Sequence, residues 1–443
     1  MTEIDVPAAV DEALVRRLRT VVASELSRHV GEALRSTGRR LDHDDQGVLA
    51  RKLIDDQLEQ LARDNAASGR PVLSEVEEEA VAQSVFDRIF QLGRLQPLIE
   101  DERIMNITAN GCDQVFIERA DGTKVVADPI AASDTEMIDL LREIGRRYGL
   151  SEREFNPARP QLNLQLPDGS RLFAVAWVCD RPALSIRRHR FMKVTLDDLV
   201  GLGAIDRGLH GFLAAAVRAR KQLMIAGATG AGKTTLLRAL ASEIPPNERI
   251  VTIETELELG LNRYPELHPD CVALEAREAN VEGVGEISAA ELVRASLRMN
   301  PDRVIVGEVR GAEVIPMLNA MSQGNEGSMC TIHADGSGTV FNKLALYAMQ
   351  APERLPMEAT NLLAASALDL LVYIAKTRQG RFVGSVRQVV AADGRQVVTN
   401  ELYRPGRDGR AVPGMPIPSE LLDELCAEGY DPALHENAAG WWT

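Results

Sequence analysis

The spacing of hydrophobic and polar positions divides the chain into three regions. In the first 90 residues, apolar side chains recur every three or four positions among charged ones, the period of helices that bury one face. The pattern predicts helices at residues 10–30, 47–65 and 74–93, with a break at 66–71. Nothing in residues 1–90 indicates chemistry, and we interpret this helical region as a solvated bundle or docking module.

Residues 91–200 have short apolar runs separated by turn signals. One hairpin is predicted at residues 115–126, around the turn Ala120–Thr123, and a second at 162–178, around Pro167–Ser170. A helical pattern at residues 135–148 lies between them. This mixture predicts an α+β domain with its own core.

Residues 201–443 alternate apolar runs of strand length with helical segments. Strands are predicted at 223–226, 250–254, 304–308, 329–333 and 370–375, and helices at 289–299, 313–321 and 341–349. Such alternation is typical of an α/β domain, a mainly parallel sheet with helices on both faces. Hairpins are then predicted at residues 382–390 and 396–403, followed by a tail rich in Pro and Gly.

A glycine-rich stretch joins the first of these strands to a helix. It matches G-x-x-x-x-G-K-[ST], the phosphate-binding loop, in which the glycines let backbone N–H groups turn toward an anion. The dipole of the following helix adds positive charge there. The predicted nucleotide-contacting residues are Gly227, Ala228, Thr229, Gly230, Ala231, Gly232, Lys233, Thr234 and Thr235. We expect a bound nucleoside triphosphate, with Lys233 on its β- and γ-phosphates and Thr234 on Mg²⁺.

Hydrolysis also requires a carboxylate near the γ-phosphate, and two predicted strand ends supply candidates. Glu308 ends one apolar run. The other end carries Glu254, Glu256 and Glu258, and the pattern alone leaves the choice among them open. His333 also ends a strand, where a structural residue and a γ-phosphate sensor are equally compatible with its position.

Composition excludes several classes of protein. The 443 residues include 65 acidic and 50 basic side chains, a net charge of −15, which disfavours non-specific coating of nucleic acid but is compatible with a local basic groove. Only 4% are aromatic, which gives little support for base stacking, and we expect no direct nucleic-acid binding. The five scattered cysteines indicate neither a disulfide framework nor a zinc site. No secretory signal is apparent, and the longest apolar stretch, residues 362–375, is too short to span a bilayer. We expect a cytoplasmic protein without a transmembrane segment.

Four ordered stretches resemble the type II/type IV secretion ATPases, and most closely the tight-adherence (Flp) pilus assembly ATPases of the CpaF/TadA kind. They are the phosphate loop at 227–235, an acidic box Ile253-Glu-Thr-Glu-Leu-Glu-Leu259, a second phosphate motif at 297–313 and a histidine box at 327–334. Upstream, residues 95–111, 166–171 and 185–188 resemble the family's N-terminal domain.

The resemblance implies a RecA-like ATPase domain and a role for each candidate residue. Glu258 matches the acidic-box residue that polarises the attacking water, and Glu308 matches the residue that holds Mg²⁺ through water. His333 matches a histidine near the γ-phosphate. In the family, the N-terminal domain supplies basic residues to the nucleotide, some of them across a subunit boundary. Arg171, Arg187 and Arg188 of this chain match those residues.

The resemblance further implies a homo-hexamer that uses ATP and Mg²⁺ and docks on pilus or secretion platform proteins at the inner face of the cell membrane. Two positions depart from the family pattern: Thr255 replaces the usual Asp, and Asn325 replaces the usual His after Gly324. We expect them to alter the surrounding geometry and the rate. Two other functions stay open, a conjugation-type DNA-transfer ATPase and a nucleotide-gated assembly scaffold that hydrolyses little ATP.

Overall fold

The structure is a computed structural model with two compact units, Met1–Arg190 and Phe191–Thr443. It describes residues 11–37, 43–90, 92–119, 122–148, 155–188, 193–277, 279, 284–378 and 380–436. The first two residues of the predicted turn Ala120–Thr123 lie outside this range.

The first unit begins with three long helices: α1 (Glu12–Thr37), α2 (His43–Ala67) and α3 (Glu75–Phe90). Their apolar positions face one another and form a separate core, which includes Val15, Leu18, Val22, Leu53, Ile54, Val81 and Val85. Helix α3 begins at a capping box, because the Ser74 backbone N–H donates to Glu77 (2.8 Å) and the Glu77 N–H donates to the Ser74 hydroxyl (3.4 Å).

A six-stranded antiparallel sheet completes the first unit, in the order β3-β2-β1-β6-β5-β4. The strands are β1 (Ile104–Asn110), β2 (Val115–Arg119), β3 (Lys124–Ala127), β4 (Gln161–Gln165), β5 (Arg171–Val175) and β6 (Ala183–Arg187). Helix α4 (Gln96–Glu100) precedes the sheet, and α5 (Asp134–Tyr148) packs Met137, Leu141 and Ile144 into its core. Alternation along β5 buries Leu172 and Ala174 and leaves Arg171 and Phe173 outside that core.

The second unit is built on a nine-stranded sheet, in the order β15-β14-β13-β12-β7-β11-β10-β8-β9. The strands are β7 (Leu223–Gly227), β8 (Ile250–Glu254), β9 (Cys271–Glu275), β10 (Arg303–Val309), β11 (Met329–His333), β12 (Leu370–Thr377), β13 (Gly380–Asp393), β14 (Gln396–Pro405) and β15 (Ala411–Pro413). The six neighbouring strands β12, β7, β11, β10, β8 and β9 run parallel to one another. Strands β13, β14 and β15 extend the sheet beyond β12 in antiparallel pairing.

Helices cover both faces of this sheet. They are α6 (Leu196–Gly201), α7 (Arg207–Arg218), α8 (Lys233–Ala241), α9 (Ala289–Ser296), α10 (Val314–Ser322), α11 (Val340–Gln350) and α12 (Met357–Ala367). Successive residues of β7 enter different cores: Leu223 and Ile225 pack with α7 and α8, whereas Met224 packs with α9 to α12. The predicted alternation of strands and helices is confirmed.

Three features of this unit differ from the sequence predictions. Strand β9 and helix α12 were not predicted, since β9 is only half-buried and α12 lies in one continuous apolar run with β12. The predicted tail after Tyr403 is wrong: α13 (Ser419–Ala427) and α14 (Ala433–Glu436) follow β15, and Leu421, Leu425 and Tyr430 enter the core. No helix in the described part of the chain is both long and apolar enough to span a membrane.

Candidate nucleotide-binding site

The phosphate loop connects the end of β7 to the start of α8, and its glycines are each required by the geometry. Gly230 and Gly232 have φ angles of 71° and 104°, in the left-handed region that disfavours side chains. A Cβ on Gly227 would lie 2.6 Å from the backbone oxygen of Ile374 on the neighbouring strand β12. The loop therefore has its shape because these three positions lack side chains.

Lys233, the first residue of α8, points back into the loop. Its side chain is buried, with 8% of its surface exposed. The Nζ atom donates hydrogen bonds to the backbone oxygens of Gly227 (3.1 Å) and Ala228 (3.4 Å), and it lies 3.3 Å from Glu308 Oε1. The ammonium group is thus held at the centre of the loop, where a phosphate chain would pass.

Glu308 lies near the end of β10, two strands away from β7 in the sheet. Its second oxygen pairs with Arg310, whose Nε lies at 2.6 Å. Burial raises the pKa of Glu308, but the nearby Arg310 and Lys233 outweigh it, so the net pKa is below the ordinary 4.5. Glu308 is therefore an ionised carboxylate at neutral pH.

The acidic segment that begins at the end of β8 has three glutamates, and two of them, Glu254 and Glu258, have different environments. Glu254 is buried, and its Oε2 accepts hydrogen bonds from the backbone N–H groups of Glu258 and Leu259, both at 2.7 Å. Burial raises its pKa to about 7, although the hydrogen bonds that it accepts oppose the shift. The Glu258 carboxylate instead accepts a bond from the Thr234 hydroxyl at 3.4 Å. Glu258 therefore faces the phosphate loop, and Glu254 fixes the segment that carries it.

Arg238 holds the same segment from the other side. It is a buried residue of α8, and its guanidinium donates to the backbone oxygens of Leu259 (2.9 Å) and Glu258. Sequence reasoning missed these positioning roles of Glu254 and Arg238. Arg238 lies one and a half turns beyond Lys233 on the same helix, but nothing in the pattern distinguishes it from a surface arginine.

Two further motif residues, His333 and Asn325, lie at opposite ends of the central strands β7 and β11. His333 is opposite Gly227 in the pairing of β11 with β7, and its Nδ1 is 3.4 Å from the Thr229 hydroxyl. Asn325 is at the other end of these strands, because its backbone oxygen accepts a bond from Gln222, the residue before β7. Its departure from the family pattern is therefore remote from the phosphate loop, whereas Thr255 is exposed directly after Glu254.

The three predicted arginines lie in the first unit. Arg171 and Arg187 are direct cross-strand neighbours on β5 and β6, and Arg187 is exposed. Arg188 is bound within its own unit: its Nη1 donates to the backbone oxygens of Ile104 (3.3 Å) and Asp101. The sheet thus brings two of the arginines together and engages the third in structural contacts.

The oxygen donors in the cleft fit a magnesium ion. Thr234, Glu258 and Glu308 offer a hydroxyl and two carboxylates near Lys233, and hard oxygen ligands are what Mg²⁺ prefers. In the described ranges, no group of three His, Cys, Asp or Glu residues forms a metal cage. Magnesium usually binds through one or two protein oxygens together with substrate phosphates, and this donor set suits that mode.

The parallel sheet, the glycine loop and the buried lysine at its end define a protein of the phosphate-loop class. Residues 90–404 match the family model described as type II/IV secretion system protein. The chain belongs to that family, whose secretion and pilus members are ATPases. The predicted resemblance to this family is confirmed.

Two relatives agree with this assignment by sequence. The chain is 36% identical over 299 residues to a putative conjugal transfer protein of Mycobacterium tuberculosis, covering 65% of this chain and 81% of that protein. It is 31% identical over 327 residues to the type IV secretion system protein VirB11 of Brucella suis, covering 68% and 88%. Compared with the crystal structure of that VirB11 ATPase, it gives a TM-score of 0.36 at 28% identity, over 67% of this chain and 96% of the other.

Proposed function

We propose that the protein is an ATP-hydrolysing motor that powers assembly of a tight-adherence (Flp) pilus or type II/IV secretion, with a RecA-like ATPase domain at residues 201–443. One observation carries the proposal: Lys233, Thr234, Glu258 and Glu308 meet in one cleft, although they come from three separate segments of the chain. A binding loop alone requires only the first two. The carboxylates add the groups that hydrolysis needs.

Each of these groups has a distinct role in the proposed reaction. Lys233 and the loop N–H groups bind the β- and γ-phosphates of ATP, and Thr234 and, through water, Glu308 hold the metal. When bound, Mg²⁺ neutralises charge on the phosphates and orients them. Glu258 orients and polarises the attacking water, because its carboxylate lies beside Thr234 at the start of α8. His333 contacts the γ-phosphate from the end of β11.

Arginines from the α+β domain at residues 91–200 complete the proposed site in a homo-hexamer, some of them across a subunit boundary. The cross-strand pair of partly buried Arg171 and exposed Arg187 offers two positive charges on adjacent strands, which suits a polyphosphate. An arginine delivered by a neighbouring subunit stabilises charge that develops on the γ-phosphate, and this couples hydrolysis to domain movement. Residues 1–90 form the preceding helical region.

The motor acts in the cytoplasm at the inner face of the cell membrane, on pilus or secretion platform proteins, without binding nucleic acid directly. Among ATPases of the family, the proposal favours those of the CpaF/TadA kind, which the motif stretches of this chain resemble most closely. The similarity to a putative conjugal transfer protein of Mycobacterium tuberculosis favours a second candidate, a conjugation-type DNA-transfer ATPase. Neighbouring genes for prepilin and prepilin peptidase would support the pilus motor, and a relaxase gene the second candidate.

ATP binding and phosphate release by purified variants test the proposed chemistry. We expect Lys233→Ala to lose ATP binding, since the loop loses its only lysine. Glu308→Gln should still bind ATP and hydrolyse it slowly, because the residue keeps its volume and loses its charge. Wild-type turnover in both variants would refute the assignment. Tight ATP binding with no phosphate release by the wild type, with and without membranes, would instead indicate the nucleotide-gated scaffold.

A further inference from the structure

A hairpin that the sequence motifs do not include lies against the phosphate loop. Strand β12 runs parallel to β7 with Ile374 opposite Gly227, so the residues after Ile374 continue alongside the loop. Strand β13 returns antiparallel and places Arg381 directly opposite Lys376. The end of this hairpin therefore sits beside the loop as a consequence of strand order.

Two of the hairpin's cations, Lys376 and Arg381, lie close to the loop, and Arg381 is hydrogen-bonded to it. The Arg381 Nε donates a 2.8 Å hydrogen bond to the backbone oxygen of Gly230. The Arg381 Cδ lies 3.7 Å from the position that a Cβ on Gly232 would occupy. The Lys376 Nζ lies 3.5 Å from the corresponding position at Gly230. Two positive side chains thus lie beside Gly230 and Gly232 of the loop, in addition to Lys233 within it.

The positive charges of the hairpin repel one another, and a bound anion would relieve this repulsion. Like charges directly opposite on neighbouring strands repel, and Arg378 in the connecting turn adds a third cation between residues 376 and 381. Both Lys376 and Arg381 are exposed, so burial of their aliphatic parts offsets little of this repulsion.

We propose that Lys376 and Arg381 form a cationic clamp that binds the nucleotide's phosphates from the side of the loop on which the β12–β13 hairpin lies. The inference rests on the proposed function and adds two binding residues to it. Arg381 is fixed through its Nε, and the planar guanidinium carries two further nitrogens whose N–H groups can bind phosphate oxygens in pairs. The clamp favours triphosphate over diphosphate, since the longer polyphosphate carries more charge to the same place.

Equilibrium binding of fluorescent ATP and ADP analogues to the full-length chain tests the clamp. We expect Arg381→Ala to weaken ATP binding about tenfold, the loss of one charge-assisted hydrogen bond, and to weaken ADP binding less. Lys376→Ala should act in the same direction but less strongly. Arg381→Lys should recover only part of the affinity, because lysine keeps the charge without the two-pronged geometry.

Arg378→Ala is the matched control, because it also removes one cation from the hairpin. Among the described contacts, Arg378 has no hydrogen bond or ion pair with the loop. The clamp would be overturned if Arg381→Ala bound ATP as tightly as Arg378→Ala does. It would also be overturned if Arg381→Ala weakened ATP binding and ADP binding equally. If Lys233→Ala loses binding while Arg381→Ala keeps it, only the clamp fails. If Lys233→Ala itself binds ATP normally, the proposed function fails. Thermal unfolding without nucleotide verifies that each variant is folded, and Lys376→Ala tests the clamp should Arg381→Ala not fold.

Discussion

Glu254 provides the sharpest test of how the site is positioned, because its hydrogen bonds hold the backbone of the segment that carries Glu258. Its carboxylate accepts the N–H groups of Glu258 and Leu259, both at 2.7 Å, and Leu259 is fully buried. In Glu254→Ala both donors lose this acceptor. A buried donor without a partner costs about 1–3 kcal/mol, so we expect the segment to rearrange at a cost of about 2 kcal/mol or more.

The rearrangement should reduce turnover and leave nucleotide binding intact. A cost of about 2 kcal/mol corresponds to about a 30-fold loss of kcat if Glu258 must return to its position for each turnover. KM for ATP should change little, because Lys233 and Thr234 belong to α8. Steady-state phosphate release over a range of ATP concentrations separates the two parameters.

Glu254→Gln is the control for this experiment. Glutamine has almost the same shape and retains an amide oxygen that can accept both N–H groups, so we expect kcat to stay within about threefold of the wild type. Normal kcat in Glu254→Ala would refute the positioning role. A Glu254→Gln enzyme as slow as Glu254→Ala would also refute it, because the charge and not the hydrogen bonds would then matter.

Three further predictions concern stability. The folded-state pKa of Glu254 is about 7 against an ordinary 4.5, so the folded protein binds more protons between these values and loses about 3 kcal/mol of stability as pH rises through them. Urea unfolding at about pH 5 and pH 8 should show this loss in the wild type and its absence in Glu254→Gln; equal losses would contradict it. Gly227→Ala forces a Cβ against the Ile374 backbone oxygen at 2.6 Å, and we expect it to cost about 1–3 kcal/mol in thermal unfolding; an unchanged melting temperature would mean that the strands yield easily. Arg188→Ala should destabilise the first unit by about 1–3 kcal/mol, because its hydrogen bonds to the backbone are lost. Arg187→Ala should change stability by less than about 0.5 kcal/mol and should lower turnover instead. The opposite result for the two variants would exchange the roles of these arginines.

Local patterns predicted the parts of the site that are adjacent in sequence. The phosphate loop needs glycines and a lysine at fixed spacing, and the apolar run before Gly227 indicated the strand that precedes it. Glu254 and Glu258 could not be separated in this way. Glu254 ends β8 and Glu258 follows four residues later, and only the turn between them buries the first and directs the second toward Thr234.

Residues that reach the site through the sheet were not predictable from the chain's local pattern. Lys376 and Arg381 lie beside the loop because β12 pairs with β7 in one particular register, a long-range choice made by the whole hydrophobic core. Likewise, the half-buried pattern of β9 at the sheet edge resembles a loop, and α12 merges with β12 in one apolar run. Burial depends on partners that are distant in sequence, so such elements carry weak local signals.

ATP turnover measured against oligomeric state tests the proposed motor most directly. Light scattering across a dilution series would give the fraction of hexamer, and phosphate release in the same samples would give turnover per chain. We expect turnover to follow the hexamer fraction, because arginines from a neighbouring subunit complete the proposed site. Full turnover by the monomer, or a hexamer that releases no phosphate, would contradict the proposal.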